Sequence, residues 1–296
     1  MKALKGVLIT LVVIIAIVGV TVIGGYVAVR SKYGIDLFRT AGQLKTLSKE
    51  VDEKSLCPNA FGEDDFKGLQ TSVNNEVNGL IKYQAGQGYN GYTVDFQAIV
   101  GKAMSASISL SEKQVGALAE TVFFQQSAGK VRLGNKDIDV NILQVDFSDI
   151  AENGSANFNV VTKIDLTPFK ADMKKFPESM FKKYVPDFLY VSSTVRVDKT
   201  TNAGFEYSVS HKSLTLNNLN ADDTADLFHT LDAVLKIGSA EDVNLKIGSV
   251  AVNALIGNAQ NVGFAYSLKG ACAKNFLFMS VNDTTSGDTV DFFVVN

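Results

Sequence analysis

The hydrophobic positions of this chain change their period along its length, and each change marks a new kind of element. Residues 6–30 read GVLITLVVIIAIVGVTVIGGYVAVR, and no charge interrupts the run from 7 to 29. As an α-helix that run is about 34 Å long, slightly more than the ~30 Å hydrocarbon core of a bilayer. Val and Ile are poor helix formers in water, but lipid offers no partner for backbone N–H and C=O groups, so the helix prevails there. The run predicts a single transmembrane helix. Lys2 and Lys5 precede it, which makes a cleaved signal peptide the rival reading. Against cleavage, the run is long and Tyr26 stands three positions before a cut after Ala28, where a small residue belongs.

After the anchor the pattern becomes amphipathic. Leu37, Leu44 and Val51 recur every seventh position with Ala41 and Leu47 between them, predicting a juxtamembrane helix over 31–53 that packs on its own domain, pairs with another copy or lies along the headgroups. Residues 57–62, CPNAFG, break it. A second helix is expected from Asp64, with Glu63, Asp64 and Asp65 at its positive end and Phe66, Leu69, Val73, Val77, Leu80 and Ile81 on one face. The Gly- and Tyr-rich stretch 83–92 then reads as a domain boundary.

From Tyr92 the period drops to two. Tyr92, Val94, Phe96, Ala98 and Val100 alternate, as do Met104, Ala106, Ile108 and Leu110, so both stretches predict strands. Ser111 and Gln114 form a capping box, and Val115, Leu118, Ala119, Val122 and Phe123 define the apolar stripe of the helix that follows. Residues 135–148 predict a strand whose apolar set shifts parity, from Ile138, Val140 and Ile142 to Leu143, Val145 and Phe147, which implies a β-bulge or a change of surface. Asn153-Gly154 is a hairpin signal with a return strand over 158–166. A basic helical crossing over 168–186, strands over 189–197 and 205–209, and a helix over 222–235 come next. Strands are expected around 245, 262–268, 275–281 and 289–295.

The predicted fold class is therefore α+β: an N-terminal transmembrane helix, juxtamembrane helices, then a curved, mostly antiparallel sheet packed on amphipathic helices. The expected domains are 1–30 (anchor), 31–91 (juxtamembrane helical linker) and 92–296 (β-rich domain). Orientation has two readings. Arg30, Lys32, Arg39, Lys45 and Lys49 after the span would hold the domain in the cytosol by a literal charge count. A short basic tail before the span is the usual signal-anchor arrangement, and large domains cross regardless of charge; the expectation is a single-pass protein of the cell membrane with its C-terminal domain outside the cytoplasm.

Composition narrows the chemistry. A net charge of −3 with both signs interspersed argues against nucleic acid as a partner. The chain has two cysteines and two histidines, too few for a zinc site by spacing. Cys57 and Cys272 form a candidate disulfide outside the cell; two free thiols are the other reading. Asp226, His229 and Asp232 line up on one helix face, where a solvated polar surface is the simpler account, and the 283–288 turn lacks a calcium-loop register. No serine-hydrolase, Walker, dinucleotide, HExxH or CxxC signature is present, so neither enzyme nor cofactor is expected.

The order ISLSEKQVGALAETVF over 108–123, LYVSSTVRV over 189–197 and SLTLNNL over 213–219, each leading to or from a helix, resembles the YpmS-type membrane-anchored proteins of Gram-positive bacteria. The resemblance implies a curved antiparallel sheet around a long helix, with an apolar groove as in tubular lipid-binding folds. Gly116 departs from it, standing where that family's helix carries a polar amide. Together with the anchor, the alternating strands beside amphipathic helices make Leu118, Val122, Phe123, Leu227, Phe228 and Leu231 the candidate groove residues. The expected partners are the bilayer, a lipid or other apolar envelope component, and other copies through the juxtamembrane helix. The alternative is a structural or interaction module with no small-molecule ligand.

Overall fold

The computed structural model describes residues 37–86, 91–99, 108–133, 136–172, 182–199, 207–235, 238–258, 260, 262–271, 276–282 and 287–294. The expected span at 7–29 and Cys272 lie outside them. Among the described residues no helix is long and apolar enough to cross a membrane.

The elements, in chain order, are α1 (Leu37–Leu47), α2 (Glu53–Leu56), α3 (Glu63–Glu76), β1 (Ile81–Tyr83), β2 (Tyr92–Val94), β3 (Ile108–Ser111), α4 (Glu112–Ser127), β4 (Lys130–Leu133), β5 (Lys136–Ser148), β6 (Ala156–Asp165), α5 (Thr167–Asp172), β7 (Phe188–Lys199), β8 (Tyr207–Leu216), α6 (Ala221–Leu235), α7 (Ala240–Leu255), α8 (Phe264–Ala271), β9 (Phe276–Asn282) and β10 (Thr289–Val294). The chain is α+β, with antiparallel pairing throughout: a five-stranded sheet ordered β4-β5-β6-β7-β8, a three-stranded sheet β3-β10-β9 and the hairpin β1-β2.

The parity shift in β5 is a bulge. Its register slips between Ile142 and Gln144, so that Ile142 faces Thr162 across the ladder, Val145 faces Val160 and Phe147 faces Phe158. One extra residue lets Ile138, Val140 and Ile142 and, beyond it, Val145 and Phe147 point to the same side of the sheet, leaving the half-buried Leu143 on the other. A second slip, at Thr194/Val195 where β7 meets β8, places His211 opposite Val195.

That apolar side carries two helices. α4 packs on β5, and α7 lies across β6, β7 and β8. α7 approaches so closely that a Cβ on Gly248 would overlap a methyl of Val195. Beside it Asn244, fully buried, pins helix to sheet: its amide donates to the Thr194 carbonyl (2.7 Å) and to His211 Nδ1 (2.8 Å) while Ser193 donates to its Oδ1 (2.6 Å). A bulge interrupts the ladder, and here a side-chain amide meets the carbonyl at the slip. α4 is tight as well, since the Phe61 ring covers Gly116 at 2.5 Å from where a Cβ would be. A polar amide at Gly116 has no room.

Four expectations are corrected. Residues 31–91 are not a linker ahead of the domain as far as they are described: Leu44, Leu47, Phe66, Leu69, Val73, Leu80 and Ile81 belong to the same core as β5–β8, and β1 pairs with β2 across the expected boundary. Phe96 to Ile99 is a 3₁₀ turn, because the Asp95 carboxylate accepts from Gln97 N–H and its carbonyl from Ala98 N–H. The stretch around Leu245 is α7, set by a capping box between Ser239 and Asp242. Phe264–Ala271 is a helix whose Phe264, Ala265 and Leu268 are buried at helical spacing.

Adding a methyl at Gly248 tests the close approach. Gly248→Ala is expected to lower stability by about 1–3 kcal/mol. Gly42→Ala, whose Cβ would meet nothing within 4 Å, gains helix propensity and leaves the melting temperature unchanged or raised. Thermal unfolding followed by circular dichroism measures both.

Candidate functional site

The apolar groove candidates are core. Leu118, Val122 and Phe123 of α4 and Leu227 and Phe228 of α6 are each at most 5% exposed, and Leu231 lies in α6 with its side chain outside the described residues. α7 packs against both helices. The cavity between Phe123, Val140, Ile142, Val160, Thr162, Ile247, Val250 and Ala251 is only about 10 Å³, room for about one water and far too little for a lipid.

The space is on the other side of the sheet. Residues 48–62 cross that polar face as a strap. Asn217, in the left-handed region at φ 47°, donates its amide to the Leu47 carbonyl (2.8 Å), and Asn218 donates to the carbonyls of Lys49 and Glu50 (3.2 and 3.3 Å). Midway, Glu53 Oε2 accepts from Lys163 Nζ (2.6 Å) and from the Tyr190 hydroxyl (2.7 Å). At the far end Asn59 N–H donates to Gln144 Oε1 (3.0 Å) and Phe61 N–H to the Leu143 carbonyl at the bulge (3.4 Å).

Two clefts flank the strap and share Lys163 and Phe188. The first, about 470 Å³, runs under Phe61, Glu63 and Phe66 and is lined by Glu53, Glu120, Asp139, Asp165 and Lys163. The second, about 530 Å³, is lined by residues 48–51 with Lys163, Lys170, Lys183, Val185, Pro186, Asp187, Phe188 and Tyr190. Volumes of this size are those of small-molecule sites. Phe188 is 40% exposed between them, with the Lys163 ammonium 4.6 Å from its ring centroid. The electrostatics at the junction are consistent: the bond from Lys163 holds the Glu53 carboxyl below its ordinary range, while burial and the bond to Glu53 raise the Tyr190 hydroxyl. Burial opposes the charge on Lys163, but its bonds to Glu53 and Tyr190 keep it above its ordinary value.

Glu120 is a strongly perturbed acid. It is 2% exposed, and burial pushes it up to about 7 although Ile142 N–H (2.8 Å) and the Asn141 amide (3.1 Å) donate to it. A raised carboxyl in a cleft is a candidate general base, but both oxygens are engaged in closing the edge of β5. Glu112 does the same two turns earlier, accepting from Phe147 N–H (2.7 Å), and burial raises it to about 7 as well.

Cys57 is a buried, free thiol pushed up to about 11 by burial and by the nearby Glu53 and Asp146, so it is protonated and a poor nucleophile. Of the acidic face of α6, Asp226 takes Arg39 (3.1 Å) and Gln43 (2.9 Å), Asp232 takes Gly238 N–H, and His229 is exposed. Among the described residues no group of three His, Cys, Asp or Glu is placed to hold a metal ion.

Comparison with protein-family models, with curated proteins and with solved structures finds no match, and so lends no support to the YpmS-type resemblance.

Sequence reasoning passed over Glu53, Glu120, Lys163 and Phe188. Glu120 had a signal: it sits inside the run VGALAETVF, and a lone carboxyl among apolar and small residues needs a buried partner. The others alternate with core residues on β6 and β7, or sit in the strap, and look like ordinary solvated positions.

The raised acids set a pH dependence. Between about 4.5 and about 7 the folded chain keeps a proton on Glu120 that the unfolded chain has lost, so stability falls as pH rises through that window. The melting temperature is expected to drop by about 5 °C from about pH 5 to about pH 8. Glu120→Gln should flatten that slope, and an unchanged slope in the variant would contradict the assignment.

Proposed function

We propose that this chain is a single-pass, membrane-anchored, non-enzymatic protein of the cell envelope. Its body stands outside the cytoplasm and works as a binding or interaction module through the polar outer face of the five-stranded sheet. One observation carries this reading: the apolar layer between helices and sheet is filled, whereas the polar face holds two clefts of about 470 and 530 Å³. Lipid in an apolar groove would require α7 to leave the sheet, breaking the Asn244 bonds and uncovering Val243, Ile247, Val252 and Leu255. Exposing four such side chains costs about 1.5–3 kcal/mol each, more than a shallow groove returns.

The anchor in this reading rests on the apolar run at 7–29. α1 joins the body core through Leu44 and Leu47, so a tether placed before it would keep the body close to the bilayer. Self-association through α1 is less favoured, since Arg39 and Gln43 are taken up by Asp223 and Asp226 of α6.

Photocrosslinking with an acyl-chain probe in membranes tests the site. Adducts are expected within 7–29 and not at Phe123, Leu227 or Phe228; adducts at those core residues would restore the lipid groove. Alkaline extraction and protease treatment of intact cells test the placement. The chain is expected to stay with the membrane and be cleaved from outside, and release into the wash would contradict an anchor.

A further inference from the structure

The second cleft differs from the first in its charge. Four lysines line it, Lys49, Lys163, Lys170 and Lys183, against the carboxylates of Glu50 and Asp187. Lys163 is bound to Glu53, Lys170 to Asp187 (2.8 Å), and Lys183 lies 5.0 Å over the Tyr184 ring. Lys49 makes no ion pair among the described residues. With Lys163 and Lys170 each paired, the positive excess comes from Lys49 on the strap and Lys183 on the 3₁₀ turn at Lys182–Tyr184, set against Glu50 alone, while Lys170 of α5 adds a donor beside them. Ammonium is a compact point charge with three donors, suited to a tetrahedral oxyanion approached from several directions. The volume exceeds what a bare oxyanion needs, and Val185, Pro186 and Phe188 give one apolar wall.

We propose that this lysine-lined cleft is a binding site for a phosphate ester, the phosphoryl group held by Lys49, Lys170 and Lys183 and the esterified organic group lying against Pro186 and Phe188. The proposal rests on the reading of the outer sheet face as the ligand surface and names its chemistry. A lipid headgroup and a free phosphate ester carry the same group.

The test is a calorimetric titration of the full chain, held in phosphatidylcholine nanodiscs, with glycerol phosphate. Saturable binding is expected, weakened by added salt and by about fivefold or more in the Lys49→Gln/Lys170→Gln double variant. Lys49 is exposed and Lys170 is partly buried in its pair with Asp187, so the melting temperature of the double variant, and the exposed Lys49→Gln alone, separate lost binding from lost folding. Lys246→Gln, on the exposed side of α7, should bind as the parent does. Repeating the titration in nanodiscs containing phosphatidylglycerol assigns the source: weakened binding points to a competing headgroup, and unchanged binding to a free ester. The absence of saturable binding, or equal loss in Lys246→Gln, would overturn the proposal. If acyl-probe adducts remain confined to the anchor in that case, the outer-face reading survives without the phosphate chemistry; adducts in the core remove both.

Discussion

The structure depends on how a strand that loses its neighbour halfway is completed. β4 pairs with β5 only from Lys136 to Asp139, which leaves the rest of β5 as an edge with unpaired backbone groups beside a bulge. An open edge of this kind is both costly where buried and a template for wrong pairing. Three contacts from two elements close it. Glu120 takes the N–H of Ile142, Glu112 takes that of Phe147, and the N–H of Phe61 reaches the carbonyl of Leu143. The first two fix the position of α4 against the sheet. The third ends the strap, and a strap secured there and at Asn217 and Asn218 must cross the polar face between them. The two clefts follow from that crossing.

The same arrangement separates the two faces of the sheet chemically. On the helix side, small residues such as Gly248 and Gly116 allow backbone and ring to approach within contact distance, and the cavity found among the described residues of that layer is about 10 Å³. On the strap side, alternate residues of β5, β6 and β7 are polar, and a single crossing segment cannot cover all of them. Lys163 sits beneath the middle of the strap, bonded to Glu53 and shared by an acidic cleft and a basic one. A rigid scaffold with an irregular segment laid over it is a common way to build a binding surface.

Much of this architecture is legible in the chain. The Ser111/Gln114 capping box and the Asn153-Gly154 turn are both present, and of the two meanings of the parity shift at Leu143, a bulge or a change of surface, the structure has the bulge. The pentapeptide LKIGS, which occurs at 235–239 and again at 245–249, is harder to read. Its second copy suits a strand as well as a helix, and Leu245 lies in α7 because Ser239, the last residue of the first copy, caps that helix with Asp242. The strap was illegible for a different reason. Its residues are placed by contacts about a hundred positions away, Glu53 with Lys163 and Asn59 with Gln144, and no local period encodes those. The apolar candidates Leu118, Val122, Phe123, Leu227 and Phe228 were legible as inward-facing, but a stripe facing a core and a stripe facing a groove have the same period.

Amide hydrogen exchange on the full chain in membranes measures the central claim directly. If the strap completes the sheet, peptides covering 53–62 should exchange as slowly as those covering 140–148 of β5, and both should loosen together when Glu53 is replaced by Ala. A strap that exchanges at the rate of an unstructured chain while β5 remains protected would mean that residues 48–62 are a detachable linker, and that the clefts they frame do not exist in the folded protein.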